Sequence, residues 1–84
     1  MKYYVYLLIA NIKKKKISYV GYTNNLNKRL LLHNKSKGAK FTRGKQWKMI
    51  YFKEYNSKLK AMSEEYKLKK NYSLRKKIKE SYKI

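Results

Sequence analysis

Two short runs decide the fold, YYVYLL at residues 3–8 and SYVGYT at residues 18–23. Both are rich in aromatic and β-branched side chains, which favour strands. The polar run NIKKKK at residues 11–16 separates them. We therefore predict strands at residues 2–10 and 17–22 that pair as an antiparallel hairpin. Their tyrosines raise a further question, because a tyrosine on a buried face needs a partner for its hydroxyl.

The segment after the hairpin has the pattern of a helix followed by a basic loop. The run TNN at residues 23–25 is a cluster of capping residues, and Leu26, Leu30 and His33 then recur at helical spacing over residues 25–34. Arg29 and His33 are four residues apart, so they share a helix face. The run NKSKGAKFTRGK at residues 34–45 is punctuated by glycines and reads as a basic loop.

The C-terminal half predicts one more strand and two more helices. Residues 47–54, WKMIYFKE, suit a third strand. The run YNS at residues 55–57 is expected to cap a second helix, and Ser73 a third. The predicted order is ββαβαα, an α+β fold in which helices flank a small three-stranded antiparallel sheet. The length of 84 residues and the lack of a linker predict one domain over residues 1–84.

The charge of the chain is strongly unbalanced. Lysine and arginine number 24 against four acidic residues, for a net charge of +20. A genome rich in A and T would raise the lysine and tyrosine content, but it would not remove the acidic residues. We therefore expect a polyanionic partner, foremost DNA, with an anionic membrane surface as the lesser alternative.

Other features of the composition exclude several classes of protein. The chain has no cysteine, which excludes disulfides and thiolate metal sites. No apolar run approaches the roughly 18 residues of a membrane-spanning helix. The apolar stretch at the N-terminus runs into lysines without a cleavage site, so a cytoplasmic protein is expected.

Arginine is rare among the basic residues and therefore informative. Only three of the 24 are arginines, namely Arg29, Arg43 and Arg75. The planar guanidinium matches phosphate and carboxylate groups with two parallel hydrogen bonds, which the lysine ammonium does not. We rank these positions first as candidates for phosphate recognition.

Several motifs, in order along the chain, resemble those of the GIY-YIG nuclease superfamily. YVY at residues 4–6 and YVG at residues 19–21 resemble its paired strand motifs, with Tyr4 where the family name has glycine. Arg29 and His33 resemble the arginine and histidine of its first helix. GAKFTRGKQW, residues 38–47, resembles its Gly-Ala-x-x-Thr loop, and AMSEEYKLKK, residues 61–70, resembles the helix with its glutamate, which matches Glu65 and not Glu64. The resemblance extends over residues 3–78.

The resemblance implies a metal-dependent DNA endonuclease. Glu65 would be the protein ligand of Mg²⁺ or Mn²⁺, since Mg²⁺ keeps most of its waters and needs only one or two carboxylates. Arg29 would hold the scissile phosphate, and Tyr6 and Tyr19 would lie on either side of the attacking water. The general base stays open between Tyr6, Tyr19 and His33, which is alternatively the residue that orients the base.

The remaining motif residues are expected to bind or to support. Lys40, Thr42 and Arg43 are predicted to contact phosphates, and Gly21 is predicted to be structural, allowing close approach of the backbone. Asn71 lies too near Glu65 to match the asparagine that some family members place after the glutamate.

The absence of an accessory recognition domain predicts cleavage with little sequence specificity. Structured or damaged DNA is the expected substrate, and a protein partner or self-association is expected to supply any specificity. Two alternatives stay open: a catalytically weak or inactive nucleic-acid-binding module of the same fold, and a basic protein associated with RNA or the ribosome. The second has only the charge in its favour, since no RNA-binding signature is present.

Overall fold

The computed structural model describes residues 1–82 and shows the predicted α+β architecture. Its elements follow the predicted order ββαβαα, and they are β1 (Tyr3–Ile12), β2 (Lys15–Thr23), α1 (Leu26–Asn34), β3 (Lys48–Tyr55), α2 (Lys58–Lys70) and α3 (Tyr72–Ser81). The three strands form one antiparallel sheet in the order β2-β1-β3, with β1 at the centre. A short 3-10 turn, Lys40–Thr42, interrupts the basic loop between α1 and β3.

The hairpin is longer than the sequence pattern predicts. The strands pair as far as Ile12 and Lys15, so the connection shrinks to Lys13 and Lys14. Both lysines have positive φ, 48° and 70°, as a two-residue turn matched to the twist of the strands requires. The register places Tyr6 opposite Gly21 and Leu8 opposite Tyr19.

Side chains of β1 alternate between two cores, because successive residues of a strand point to opposite faces. Tyr6, Leu8 and Ala10 pack with Trp47 on the face where α1 contributes Leu26 and Leu30. On the opposite face, a second buried cluster joins both strands of the hairpin to α2; its members are Val5, Leu7, Val20, Ala61 and Leu68. The central strand is therefore covered on both sides, and its residues 5–10 are all buried.

The N-terminal capping residues of two helices are the predicted ones, and that of the third helix is not. Asn25 accepts a hydrogen bond from Lys28 N and Ser57 accepts one from Lys60 N, both at 3.1 Å. The prediction that Ser73 caps α3 is wrong. Asn71 caps it instead, accepting from Leu74 N at 3.1 Å, because this one residue joins α2 to α3 and has the non-helical backbone of a cap.

Within residues 1–82, no helix is both long enough and apolar enough to cross a membrane.

Candidate active site

Tyr6 and Tyr19 lie on the same face of the hairpin as α1. This follows from the register, because Tyr6 and Leu8 share a face and their partners are Gly21 and Tyr19. The Tyr6 ring lies over Gly21, where a Cβ atom would collide with the tyrosine hydroxyl. Gly21 therefore leaves the space that the Tyr6 side chain occupies. Tyr6 is buried, whereas Tyr19 is partly exposed.

A chain of hydrogen bonds starts at the Tyr6 hydroxyl and ends in the basic loop. The Tyr6 hydroxyl lies 2.8 Å from His33 Nε2, and His33 Nδ1 lies 2.8 Å from Thr42 Oγ1. The Thr42 hydroxyl donates its only proton to the Ala39 carbonyl at 2.7 Å. It must therefore accept from His33 Nδ1–H, so Nε2 is the unprotonated nitrogen and Tyr6 donates to it.

The loop around His33 fits too closely to admit a larger residue at one position. A Cβ atom on Gly38 would collide with His33 Nδ1. Trp47 also holds the loop, since its indole N–H donates to the Thr42 carbonyl at 2.9 Å. Sequence reasoning did not assign Gly38 or Trp47 to the site. The Gly-Ala-x-x-Thr motif was the signal that could have identified Gly38.

The three loop residues predicted to bind phosphates lie in different environments. Lys40 and Arg43 are exposed, so they can contact a nucleic acid. Thr42 is 0% exposed, and its hydroxyl is occupied by His33 and Ala39. The prediction for Thr42 is thus corrected: its side chain cannot reach a phosphate, and it orients His33 instead.

The environment of Tyr6 and His33 keeps both side chains neutral. Burial raises the pKa of Tyr6 to about 12, against the opposing effect of the nearby Arg29 guanidinium. Burial, together with the positive charge of Arg29, lowers the pKa of His33 to about 4. At neutral pH the pair is therefore a phenol that donates to an uncharged imidazole.

Arg29 is the cation that shifts the pKa values of both Tyr6 and His33, and its side chain is partly exposed. It lines a shallow groove of about 190 Å³ beside the start of α1, together with Asn25 and Leu32. Within the part of the chain that the structure describes, no carboxylate lies within 4 Å of its guanidinium. Arg75 differs, because its Nε donates to the Leu68 carbonyl at 3.2 Å and so joins α3 to α2.

The two adjacent glutamates of α2 have different surroundings. Glu64 is held by Lys67 at 3.1 Å and Lys60 at 3.5 Å, and the Lys67 hydrogen bond lowers the pKa of its carboxyl. The side chain of Glu65 is 18% exposed, and Lys69 Nζ is 3.7 Å away. The negative charge of Glu65 adds to the rise in the pKa of Tyr6, so this carboxylate and the tyrosine belong to one electrostatic environment.

The possible metal ligands near Tyr6 suit a cation that keeps most of its bound waters. Within residues 1–82, no three histidine, aspartate or glutamate side chains cluster as a cage for a metal. Glu65 offers one carboxylate, and the remaining ligands would be water and substrate phosphate, which is the coordination that Mg²⁺ prefers.

The chain is similar to several small bacterial proteins. The chain is 44% identical to a UPF0213 protein of Oceanobacillus iheyensis over 69 residues, covering 81% of this chain and 77% of the relative. It is 46% identical to a UPF0213 protein of Clostridium perfringens over 68 residues, covering 80% and 70%. The solution NMR structure of the UPF0213 protein BH0048 from Bacillus halodurans is similar, with a TM-score of 0.50, 32% identity and coverage of 96% of this chain and 84% of that one.

A family model supplies the last comparison. The GIY-YIG catalytic domain matches residues 2–79, which include Tyr6, Tyr19, Arg29, His33 and Glu65. Proteins with this domain are generally nucleases, which hydrolyse nucleic acids. The chain therefore belongs to the GIY-YIG family.

Proposed function

We propose that this protein is a metal-dependent endonuclease that hydrolyses phosphodiester bonds of structured or damaged DNA, with little sequence specificity of its own. One observation carries the proposal: a buried hydroxyl, that of Tyr6, donates to a neutral histidine while Arg29 and Glu65 both act on it electrostatically. A protein partner or self-association would supply further specificity.

His33 acts through Tyr6 in this proposal. Both nitrogens of the imidazole have hydrogen-bonding partners within the protein, so His33 does not contact the attacking water directly. Because the Tyr6 hydroxyl donates a hydrogen bond to His33, the lone pairs of its oxygen can accept a hydrogen bond from water. Tyr6 is therefore the tyrosine that we assign as general base, with His33 orienting it and receiving its proton.

Tyr19 has a different role. Its ring is tilted against His33, with 5.2 Å between the ring centroids, and it closes the other side of the pair. It is partly exposed, and within residues 1–82 its hydroxyl has no hydrogen-bonding partner. This hydroxyl is therefore available to hold the water or a phosphate oxygen.

Substrate binding would change the proton affinity of the buried pair. The positive charge of Arg29 helps to keep the pKa of His33 at about 4, which makes the imidazole a poor proton acceptor in the free protein. A phosphate bound by the Arg29 guanidinium would offset that charge. His33 would then accept a proton more readily, so the base becomes stronger only when the substrate is in place.

Glu65 would hold the metal ion beside the same phosphate. When bound, Mg²⁺ or Mn²⁺ stabilises the developing negative charge and lowers the pKa of a coordinated water. Arg29 would add charge stabilisation from its own side of the phosphate. Lys40 and Arg43 would bind flanking phosphates, since both are exposed in the basic loop.

The sharpest test compares the two adjacent glutamates. Glu65→Gln keeps the shape of the side chain and removes its negative charge. We expect cleavage of plasmid, flapped and branched DNA in Mg²⁺ or Mn²⁺ to fall by at least about 100-fold, because the metal loses its only anionic protein ligand. Binding to DNA in EDTA should stay the same or become tighter, since one repelling charge is gone.

Glu64→Gln is the matched control, because it removes the same charge one residue away on α2. Glu64 is paired with lysines and contributes nothing to the pKa of Tyr6. Its cleavage rate should stay within about threefold of the parent rate. Retained cleavage in Glu65→Gln would contradict the mechanism, and a parent that binds DNA without cutting it in either metal would be the inactive binding module.

A further inference from the structure

Phe41 is an aromatic side chain left half-exposed at the edge of the candidate site. It lies in the 3-10 turn Lys40–Thr42, and 52% of its surface is open to solvent, although the next residue, Thr42, is fully buried. Its ring stacks on Tyr19, with 6.2 Å between centroids and 20° between ring planes. Trp47 supports it from a second direction, also at 6.2 Å. The open part of the ring thus extends the aromatic surface of Tyr19 outwards.

The position of Phe41 is fixed by the same contacts that fix His33. The next residue, Thr42, accepts two hydrogen bonds: its hydroxyl accepts one from His33, and its carbonyl accepts one from the indole of Trp47. Lys45 Nζ donates to the Phe41 carbonyl at 2.9 Å and lies 5.2 Å from the centre of its ring. An exposed side chain on a free loop would have no defined place relative to Tyr6 and Tyr19, whereas Phe41 has one.

The surroundings of Phe41 indicate what would stack on it. The loop from residue 34 to residue 45 carries four lysines, one arginine and no acidic residue. A rigid aromatic ring among cations is the combination that binds single-stranded nucleic acid, where charge holds the backbone and bases stack on the ring. A base inside an intact duplex presents only its edge, so its face would have to be freed first.

We propose that Phe41 stacks against an unpaired nucleobase next to the phosphate that Arg29 and Tyr19 engage. The substrate would therefore be nucleic acid that is unpaired or easily unstacked at the point of cleavage. This inference rests on the proposed nuclease function, because it takes the surface around Arg29 and Tyr19 as the substrate site. It makes Phe41 a residue that determines specificity and takes no part in the proton transfer.

The test measures binding without catalysis. The dissociation constants of a fluorescein-labelled single-stranded oligonucleotide of about 12 nucleotides and of the same sequence as a duplex are measured by anisotropy in EDTA at one salt concentration. Phe41→Leu should weaken binding of the single strand about tenfold or more, as expected for the loss of one base–aromatic stack. Binding of the duplex should change less than twofold, and Phe41→Trp should bind the single strand as the parent does.

Phe52→Leu is the matched control. Phe52 is similarly exposed, at 56%, but lies on the edge strand β3 opposite Tyr6, and its ring packs against Tyr4 and not against Tyr19. It should leave both affinities unchanged. Equal weakening of single strand and duplex by Phe41→Leu, or no weakening of either, would overturn the inference. Cleavage by the parent protein in Mg²⁺ is measured in parallel, so that a selective binding defect without any cleavage refutes the nuclease proposal and supports the stacking role.

Discussion

His33 is the single histidine of the chain, and its surroundings show how little space the site leaves. Glycines 21 and 38 each have a neighbour where a Cβ atom would stand, the first Tyr6 and the second His33. The side chains of the Tyr6–His33 pair are therefore positioned as much by two missing methyl groups as by hydrogen bonds. This crowding and the burial of the imidazole each lead to a prediction.

The first prediction concerns protonation of His33. Its pKa of about 4 in the folded protein lies below the value of 6.5 for an exposed histidine, so the unfolded chain binds more protons between these pH values. The free energy of unfolding should therefore fall as the pH drops from 6.5 towards 4, by roughly 3 kcal/mol at about 1.4 kcal/mol per pKa unit. Above pH 6.5 the contribution is fully present.

The measurement needs no mutation, because the protein has one imidazole to follow. Its ring proton signals in an NMR titration should not move between pH 8 and about 5.5. Denaturant unfolding at pH 6.5 and pH 5 should show the loss of stability over a range in which glutamate carboxyls contribute little. A titration midpoint near 6.5 would show that the imidazole is not buried and neutral.

The second prediction compares two glycines of the same loop. Gly38→Ala places a methyl group against His33 Nδ1, so the imidazole must move and the bonds to Tyr6 and Thr42 must lengthen. We expect cleavage to fall by at least about tenfold and the pKa of His33 to rise towards 6.5. Burial lowers this pKa, and a displaced ring is less buried.

Gly44→Ala serves as the control for a mere loss of stability. Gly44 has a φ of +73°, and no atom lies within 4 Å of the place where a Cβ atom would stand, so alanine is strained there without crowding the site. It should cost about 1 kcal/mol of stability and leave the His33 signals and the rate of cleavage near their parent values. If the two variants behave alike, the crowding around His33 has no part in the activity.

Among the secondary-structure elements, the turn between β1 and β2 has the residues least suited to its backbone conformation. Lys13 and Lys14 both occupy the left-handed backbone region, which costs an ordinary residue about 1 kcal/mol or more. Asparagine followed by glycine is the preferred pair for such a turn. The sequence therefore keeps a strained turn in the middle of a basic run.

Replacing this pair should stabilise the protein. The double variant Lys13→Asn, Lys14→Gly should raise the free energy of unfolding by about 1 kcal/mol, which corresponds to roughly 4–8 °C in Tm for a domain of this size. Thermal unfolding followed by circular dichroism measures the change. The variant Lys15→Asn, Lys16→Gly removes the same two charges but lies in β2 and should destabilise. A rise in Tm for both variants would assign the effect to charge alone.

The elements that the sequence predicted well are those with a local chemical signal. Aromatic and β-branched runs marked the three strands, and Asn25 and Ser57 marked two helix starts. The start of α3 was misplaced because Asn71 and Ser73 are both good caps, and only the tight junction with α2 selects Asn71. The hairpin was predicted too short because its turn contains lysines instead of the glycine that usually marks one.

The site was less predictable than the strands, since it depends on contacts between distant segments. A threonine in a basic loop suits a phosphate as well as a histidine, and only the fold shows that Thr42 is buried against His33. Glu64 and Glu65 are chemically identical neighbours, and the resemblance to the family's helix motif alone favoured Glu65; the structure adds that Glu64 is paired with two lysines. Tyr6 and His33 lie 27 residues apart, so the direction of their hydrogen bond follows from the tertiary structure.

The net charge of +20, confined to a small volume, should affect both the stability of the whole protein and its binding to polyanions. The radius of gyration is 12.4 Å, comparable to the screening length of about 10 Å in 0.1 M salt, so most of these charges repel one another at low ionic strength. Four glutamates can neutralise few of them. Compactness and attraction for a polyanion therefore respond to salt in opposite directions.

The last prediction uses that opposition. Raising NaCl from 50 mM to 500 mM should increase Tm by several degrees, because screening weakens the repulsion within the folded chain. Over 50–200 mM, the affinity for DNA should fall with a log–log slope of about −0.9 for each phosphate contacted, so four to six contacts give a slope of roughly −4 to −5. Thermal unfolding and fluorescence anisotropy on the same samples measure both. KCl should reproduce both trends, since screening depends on ionic strength and not on the cation. A flat affinity would exclude an electrostatic nucleic-acid surface, and a Tm that falls with salt would show that ion pairs outweigh the repulsion among the 24 cations.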